Sequence, residues 1–503
     1  MKRFFNITNI SIVGFIIFII TFIISKDYIG NNTNYNYKFF MISVTLITLF
    51  PILYYLNKDK EKEFFPLFEM SLIYFFVSYA LFHIFDHLGI SFSIPTYSTR
   101  LEMEDAIVFG SGQLKLVSDA TRPDIGYSFK VLFIGLISFI IGYFLLKYFT
   151  TNIQRNGFKF LNITDKSEML FICLVINIIT LSIFYIFKIQ EVIPAISQLN
   201  SVFTFLLLSF NFFAVIYYKE LKIYNKILLL LPIIFILIFK LLEGSYAAPI
   251  SGLIYLYIIF FLIKKKLALL PILAIVIIFF SIHTFKNEFR ANTWRIITKD
   301  DGIVEKLDVF KDIYKANYYY FFNFKNQENK LKMLKEKNLQ RIFHSAESLV
   351  VVTRLSPEKV PYWKGESYKI LASKIIPRIF WEDKPSDLLG NAFGKRYGIL
   401  KDEDKVTSWN MPVLNEFYVN YGIKGVIIGM FVLGIFYRFL TIYLSIRNKN
   451  NYEFLIGAMT IFPLFFLESH LSLIFGAVLQ TYIFLLFFIY FVKKIYDLTI
   501  LKK

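Results

Sequence analysis

An all-α polytopic membrane protein is the fold class this sequence predicts, and three observations carry the prediction. Hydrophobic residues make up 56% of the chain, with 60 Phe and 33 Tyr, a larger apolar share than soluble globular domains carry. The apolar residues come in runs of about 20, the length that crosses a bilayer as a helix. The short connectors between the runs alternate between Lys/Arg-rich and Lys/Arg-poor, as expected of a chain that weaves through a membrane.

The runs place spans near 8–25, 38–56, 66–88, 127–149, 168–187, 199–218, 226–242, 245–263, 267–284, 419–445, 452–468 and 471–492, roughly twelve in all. Met1-Lys2-Arg3 with the apolar run Ile10 to Ile24 has the look of a signal peptide. Ser25-Lys26-Asp27 is a poor cleavage site, so an uncleaved first span is expected. One set of connectors carries Lys2-Arg3, Lys58/Lys60/Lys62, Arg155/Lys159/Lys166, Lys219/Lys222/Lys226, Lys264-Lys265-Lys266, Arg447/Lys449 and Lys493-Lys494. The alternate set holds Lys26 and Lys188, with no cation in the hairpins at Gly244 and Ser469. Both termini are therefore expected on the cytoplasmic side of the membrane.

That topology divides the chain into 1–284, spans with a first outer loop near 89–126; 285–415, a large extracytoplasmic loop before the last three spans; and 416–503, the last spans and a cytoplasmic tail. The charge of +18 reads as topology and attraction to anionic lipid, with no nucleic-acid partner implied. Cys173 is the single cysteine, so no intrachain disulfide and no Cys-based metal site are expected. Asp402-Glu403-Asp404 spells D-x-D, but no nucleotide-binding strand–helix alternation surrounds it. No metal and no cofactor are expected.

Chemistry is expected in the large outer loop, because a long ordered loop is usually functional. It holds Arg290, Arg295, Arg341, Arg354, Arg378 and Arg396, and Arg binds phosphate through a bidentate fork that stays charged in a partly dry site. Lys325 to Arg341 reads as a solvated or interfacial helix. Pro377 and Pro385 bracket a stiffened segment containing Arg378, Trp381, Asp383 and Lys384, with cations for phosphate and an aromatic face for sugar. All five histidines, His83, His87, His283, His344 and His470, fall at or beyond the expected outer face; His344 and His470 stand out as proton acceptors. Glu243 (beside Lys240), Glu416 and Glu468 are carboxylates at or near membrane depth, where such groups are functional suspects. For a general base, Glu416 ranks first, His344 second and Asp383 third.

Three ordered motifs of this region are G-x-x-Y at Gly365 to Tyr368, I-P-R-x-x-W-x-x-K-P at Ile376 to Pro385, and Glu416-Phe417-Tyr418-Val419-Asn420-Tyr421-Gly422 with Gly425. Arg354 and Gly365 also fit R-x10-G. With these the chain resembles the bacterial oligosaccharide repeat-unit polymerases, the Wzy-type O-antigen polymerases; a second R-x10-G is absent after Arg100 and Arg122. The resemblance implies a metal-independent glycosyltransferase of surface-polysaccharide synthesis at the cell envelope. Its partners would be an undecaprenyl-pyrophosphate-linked glycan donor, a similar acceptor, membrane lipid, and a chain-length regulator and flippase of the same pathway. The motif residues Arg354, Arg378, Lys384, Trp381, Gly365, Tyr368 and Tyr421 are its candidate substrate-binding residues, and the loop arginines Arg290 and Arg341 join them as cations suited to pyrophosphate. Two rival readings are an O-antigen-ligase-like transferase and a transporter or flippase of lipid-linked glycan. The nearly uncharged span interiors disfavour transport.

Overall fold

The structure, a computed structural model, describes residues 33–57, 66–81, 122–150, 167–186, 197–217, 222–242, 247–264, 268–283, 289, 303–322, 328–374, 376, 381, 388–405, 407–445, 451–465 and 467–500. All regular structure among these residues is helical. In chain order the helices are α1 (Thr33–Asn57), α2 (Leu67–Phe75, continued by a π turn Phe76–Ala80), α3 (Arg122–Thr150), α4 (Ser167–Ile186), α5 (Ser197–Tyr217), α6 (Ile223–Leu242), α7 (Ala247–Lys264) and α8 (Leu269–His283). There follow α9 (Ile303–Phe322), α10 (Glu328–Leu355), α11 (Lys369–Ser373, preceded by a 3-10 turn Glu366–Tyr368), α12 (Leu389–Arg396), α13 (Val413–Ser445), α14 (Asn451–Ile461, continued by a 3-10 turn Phe462–Phe465) and α15 (Leu471–Ile500).

Four stretches are long and apolar enough to cross a membrane: Gly126–Leu146, Ile223–Leu242, Val413–Leu444 and Leu471–Leu498. Shorter apolar helical stretches include Leu67–Ala80, Val202–Ile216 and Phe454–Phe465. The expected span near 8–25 lies outside the described residues. Among the described residues the regular structure is therefore all-helical with four candidate membrane-crossing helices, and the expectation of about twelve goes beyond these four.

The centre of the fold is the pair α3 and α13. Their backbones approach closely because a Cβ at Gly142 would run into the Phe431 carbonyl, and one at Gly434 into the Phe139 carbonyl. Small residues let apolar helices pack this tightly where no hydrophobic driving force separates helix from lipid. Aromatic rings lock the seam, with Phe139 edge-on to Tyr437 at 5.4 Å and Phe68 of α2 stacked on Tyr143 at 4.5 Å.

Two expectations about the outer loop change. The stretch from Arg341 reads in sequence as the start of one long loop, but α10 continues through it to Leu355. Its second half buries Ala346, Leu349, Val352 and Leu355 in the main core, and it stops where Pro357 makes helix unfavourable for Ser356. The expected span 419–445 also begins earlier, at Val413, inside the expected loop. That helix breaks at Tyr421 and Gly422, where φ is −144° and +60°. The break folds its first turns back, so that the Phe417 carbonyl faces Gly425 and the Phe417 ring lies on Gly429.

Candidate functional site

Two polar clusters meet at the turn between α14 and α15. The first is an ion-pair centre. Arg341, on α10, pairs with Glu468 in the turn. Asn410, in the segment leading to α13, donates Nδ2 to Glu468 Oε1 at 2.9 Å. Its own carbonyl lies 3.1 Å from His344 Nε2. A carbonyl only accepts, so His344 Nε2 carries the hydrogen and the neutral ring keeps its lone pair on Nδ1. Trp409 sits edge-on to His344 with ring centroids 4.8 Å apart. The Trp409 backbone N–H donates to the Gly390 carbonyl at 3.2 Å. The Tyr74 hydroxyl, beside the π turn, reaches Ser345 Oγ at 2.8 Å and closes this side. Such π turns are frequent at functional sites.

Burial pushes the His344 ring below its ordinary pKa of 6.5, with Arg341 adding to the effect and Glu468 and the Asn410 carbonyl opposing it. Burial alone would raise Glu468, but Arg341, His344 and Asn410 together hold its carboxyl below the usual range. Near neutral pH the cluster is therefore a guanidinium, a carboxylate and a neutral imidazole.

The second cluster braces the segment 361–368 against the break in α13. Trp363 N donates to the Val419 carbonyl at 3.0 Å and Lys364 N to the Asn420 carbonyl at 3.1 Å. Gly365 N donates to Asn420 Oδ1 at 2.9 Å. Gly365 has φ +88°, and a Cβ there would come within 2.5 Å of the Tyr421 hydroxyl; a side chain is disfavoured both by conformation and by space. Glu416 is fully buried beneath this strap. Its Oε1 accepts from Ser367 Oγ at 2.7 Å, and its Oε2 from Leu471 N at 2.7 Å. Asn420 Nδ2 donates to Ser367 Oγ and to the Glu416 carbonyl, each at 2.8 Å. A carboxylate capping the first amide of α15 also complements the positive end of that helix. Tyr368 and Tyr421 stand beside this brace with ring centroids 6.4 Å apart. Burial, then Glu416, raise the Tyr368 phenol well above its ordinary value, so Tyr368 is a hydrogen-bonding group.

The residues singled out in the sequence therefore sort into groups. Arg341, His344 and Glu468 come together, and Gly365, Tyr368, Tyr421 and Glu416 come together. Arg354 lies half-buried in the last turn of α10, about 20 Å along the helix from Arg341 by the rise per residue. Arg396 donates to the Pro361 carbonyl at 2.8 Å and lies over the Trp363 ring at 5.6 Å, an anchor for the strap. Trp381 is 38% exposed. Arg290, Arg378, Asp383, Lys384 and Glu243 lie outside the described residues. Asp404 Oδ1 accepts from Thr407 N at 2.8 Å and so closes a turn, and Asp402 and Glu403 are exposed. Among the described residues no group of three or more His, Cys, Asp or Glu is placed to hold a metal ion.

Asn410, Ser367 and Glu347 are the polar residues that sequence reading missed. Glu347 is one turn from His344 on α10 and only 7% exposed. Burial pushes its carboxyl up to about 8 from 4.5. A raised carboxyl pKa stabilises the fold fully below the unfolded value and loses that contribution as pH rises from about 4.5 to about 8. Glu347→Gln is therefore expected to flatten this decline and to raise the melting temperature at pH 8 by several degrees, read by thermal unfolding across that range. An unchanged pH slope in the variant would contradict the assignment.

These contacts give the chain a buried, polar, partly charged centre at one end of its apolar helices. A family model spans residues 16–503. The chain belongs to the DUF8712 family. That family is described as a domain of unknown function, so membership in DUF8712 names the fold's relatives and leaves its chemistry to the site. No curated protein and no solved structure matches this DUF8712 chain.

Proposed function

We propose that this protein is a membrane glycosyltransferase that polymerises polyprenyl-pyrophosphate-linked oligosaccharide repeat units at the outer face of the cytoplasmic membrane. The observation that carries the proposal is the centre built from Arg341, Glu468, Asn410 and His344, set among apolar helices of membrane-crossing length.

Transfer of a glycan from a lipid pyrophosphate to a sugar hydroxyl makes two demands. The hydroxyl proton must go to a base, and the negative charge on the leaving pyrophosphate must meet fixed cations. His344 meets the first, because its Asn410 bond leaves the Nδ1 lone pair as proton acceptor. Arg341 meets the second: Glu468 orients its guanidinium, which is 37% exposed on that side chain and can fork onto phosphate oxygens. The acceptor oxygen forms its bond to the anomeric carbon as the carbon–oxygen bond to pyrophosphate breaks, and the proton passes to imidazole. Glu416, with each carboxylate oxygen already accepting a bond, is a positioning residue that sets the start of α15 and hence the turn carrying Glu468.

Purified protein incubated with lipid-linked repeat units should produce a ladder on a gel, each rung one repeat longer. Single repeats alone, from folded protein in lipid, would refute the reading. Transfer only onto an unrelated lipid acceptor would identify a ligase instead.

A further inference from the structure

A cavity of about 750 Å³ lies between α13 and α15 and reaches α14 at Thr460, a volume within the range of ligand pockets, about 300–1,000 Å³. Its wall is mostly aromatic and aliphatic, and Phe436 and Phe475 in that wall pack on each other with ring centroids 4.7 Å apart. From Phe475 to Tyr482 it follows α15 for about 10 Å, and from Phe436 to Leu444 it follows α13 for about 12 Å, at the usual helical rise. Both helices are candidate membrane-crossing helices. Phe439, which lines the cavity, is half exposed on α13, so the cavity borders the face that those helices turn to lipid. The hydroxyls of Tyr443 and Tyr482 in the wall bond each other at 2.8 Å.

A polar group of this wall lacks a partner. Thr460 lines the cavity, is only 2% exposed, and its Oγ1 makes no hydrogen bond. Threonines elsewhere in the fold behave differently. Thr45, Thr48, Thr180, Thr353 and Thr441 each donate from Oγ1 to the carbonyl four residues earlier, at 2.8 or 2.9 Å. That bond to the preceding turn is the ordinary way for a helical threonine to satisfy its hydroxyl. Thr460, in the last turn of α14, does not make it. A buried hydroxyl left without a partner is costly, and at the level of apolar spans no water stands ready to relieve it.

We propose that this cavity binds a neutral membrane lipid whose hydrocarbon chain carries an uncharged oxygen: the chain lies against the aromatic wall, and its hydroxyl or carbonyl oxygen bonds Thr460 Oγ1. The apolar wall selects hydrocarbon, and the unpartnered hydroxyl selects one hydrogen-bonding oxygen on it. Charge does not define the occupant. Among the described lining residues there is no carboxylate, and Lys374, which also borders the cavity, already has contacts within the protein. The lipid-facing border supplies the route of entry. Tyr368 of the strap lines the same cavity, so an occupant bears on the segment that Glu416 braces. The site stands independently of the transfer reaction.

The test is photolabelling of the purified full-length protein in phosphatidylcholine nanodiscs with an 18-carbon alcohol (about the length of one membrane-lipid chain) bearing a diazirine on its chain. Wild type is expected to be labelled saturably on α13 and α15 along the cavity wall. Three unlabelled competitors of the same chain length separate the sources of affinity: oleyl alcohol, 1-octadecene and oleate. Oleyl alcohol should compete about three- to tenfold better than 1-octadecene, the worth of one neutral hydrogen bond, and better than oleate. Thr460→Val keeps the shape and removes the hydroxyl, so the advantage of the alcohol over the alkene should vanish while the alkene competes as before. Thr460→Ser should retain the advantage. Because Thr460→Val also removes an unpartnered buried hydroxyl, it should melt no lower than wild type without ligand; if it does not fold, the ranking of competitors on wild type decides. Unsaturable labelling, or labelling confined to other helices, overturns the site. So does 1-octadecene competing as well as the alcohol, which would mean that any chain fills the cavity. Oleate competing best would identify an anionic ligand instead, and an advantage of the alcohol that survives in folded Thr460→Val would remove Thr460 from the site.

Discussion

Glu416→Ala is expected to cost the protein about 2–5 kcal/mol of stability, because it strips the acceptor from two buried donors at once. Ser367 Oγ and Leu471 N each lose their 2.7 Å partner, and the fully buried position admits no water to replace it without rearrangement. Three parts of the chain are joined at this one carboxylate: the strap through Ser367, the folded-back start of α13, and the first amide of α15. Glu416→Gln is expected to be milder, since one amide oxygen still accepts, but its NH2 then confronts a donor. The measurement is thermal unfolding in detergent alongside the rate of polymer formation per folded molecule. Both variants should lose folded protein, and the folded fraction of Glu416→Gln should retain most of its turnover. A Glu416→Gln protein as stable as wild type but slowed a hundredfold or more would make Glu416 the base.

His344→Ala is expected to lower turnover by about 10²–10⁴-fold, the range that removing a general base produces, with little change in the affinity for either lipid substrate. The same histidine sets the pH profile. On the proposed role it would act as the neutral ring, and burial holds its pKa below 6.5. Turnover should therefore be flat above that value and fall as pH drops through the lowered pKa. Glu468 opposes the lowering, so Glu468→Gln should move the acid limb to still lower pH, whatever it does to the plateau. A merely structural His344 would leave the acid limb where it was in the Glu468→Gln variant. For stability the sign is the same: the unfolded histidine binds protons more readily, so stability declines as pH falls from 6.5 toward the folded pKa.

How the chain builds its centre was partly legible beforehand. His344, Arg341 and Glu468 were each suspect by residue type and expected side of the membrane, yet only the fold joins them. Glu468 and Arg341 are 127 residues apart in sequence. Hydropathy is a local property and says nothing of pairing across such a distance. The motif residues Gly365, Tyr368, Tyr421 and Glu416 likewise converge through bonds spanning 49 and 55 residues.

The sequence by itself determined that this is an all-helical chain with helices long and apolar enough to cross a membrane, because span length and apolar composition are written residue by residue and the bilayer reads them without reference to the rest of the fold. Tertiary structure alone decided that Arg341 to Leu355 is a buried helix rather than loop, that α13 breaks at Tyr421 and Gly422, and that each carboxylate oxygen of Glu416 accepts a buried hydrogen bond. These outcomes depend on which distant backbone and side chain arrive opposite each residue. A buried donor or acceptor takes its partner from that arrangement, and no local pattern encodes it.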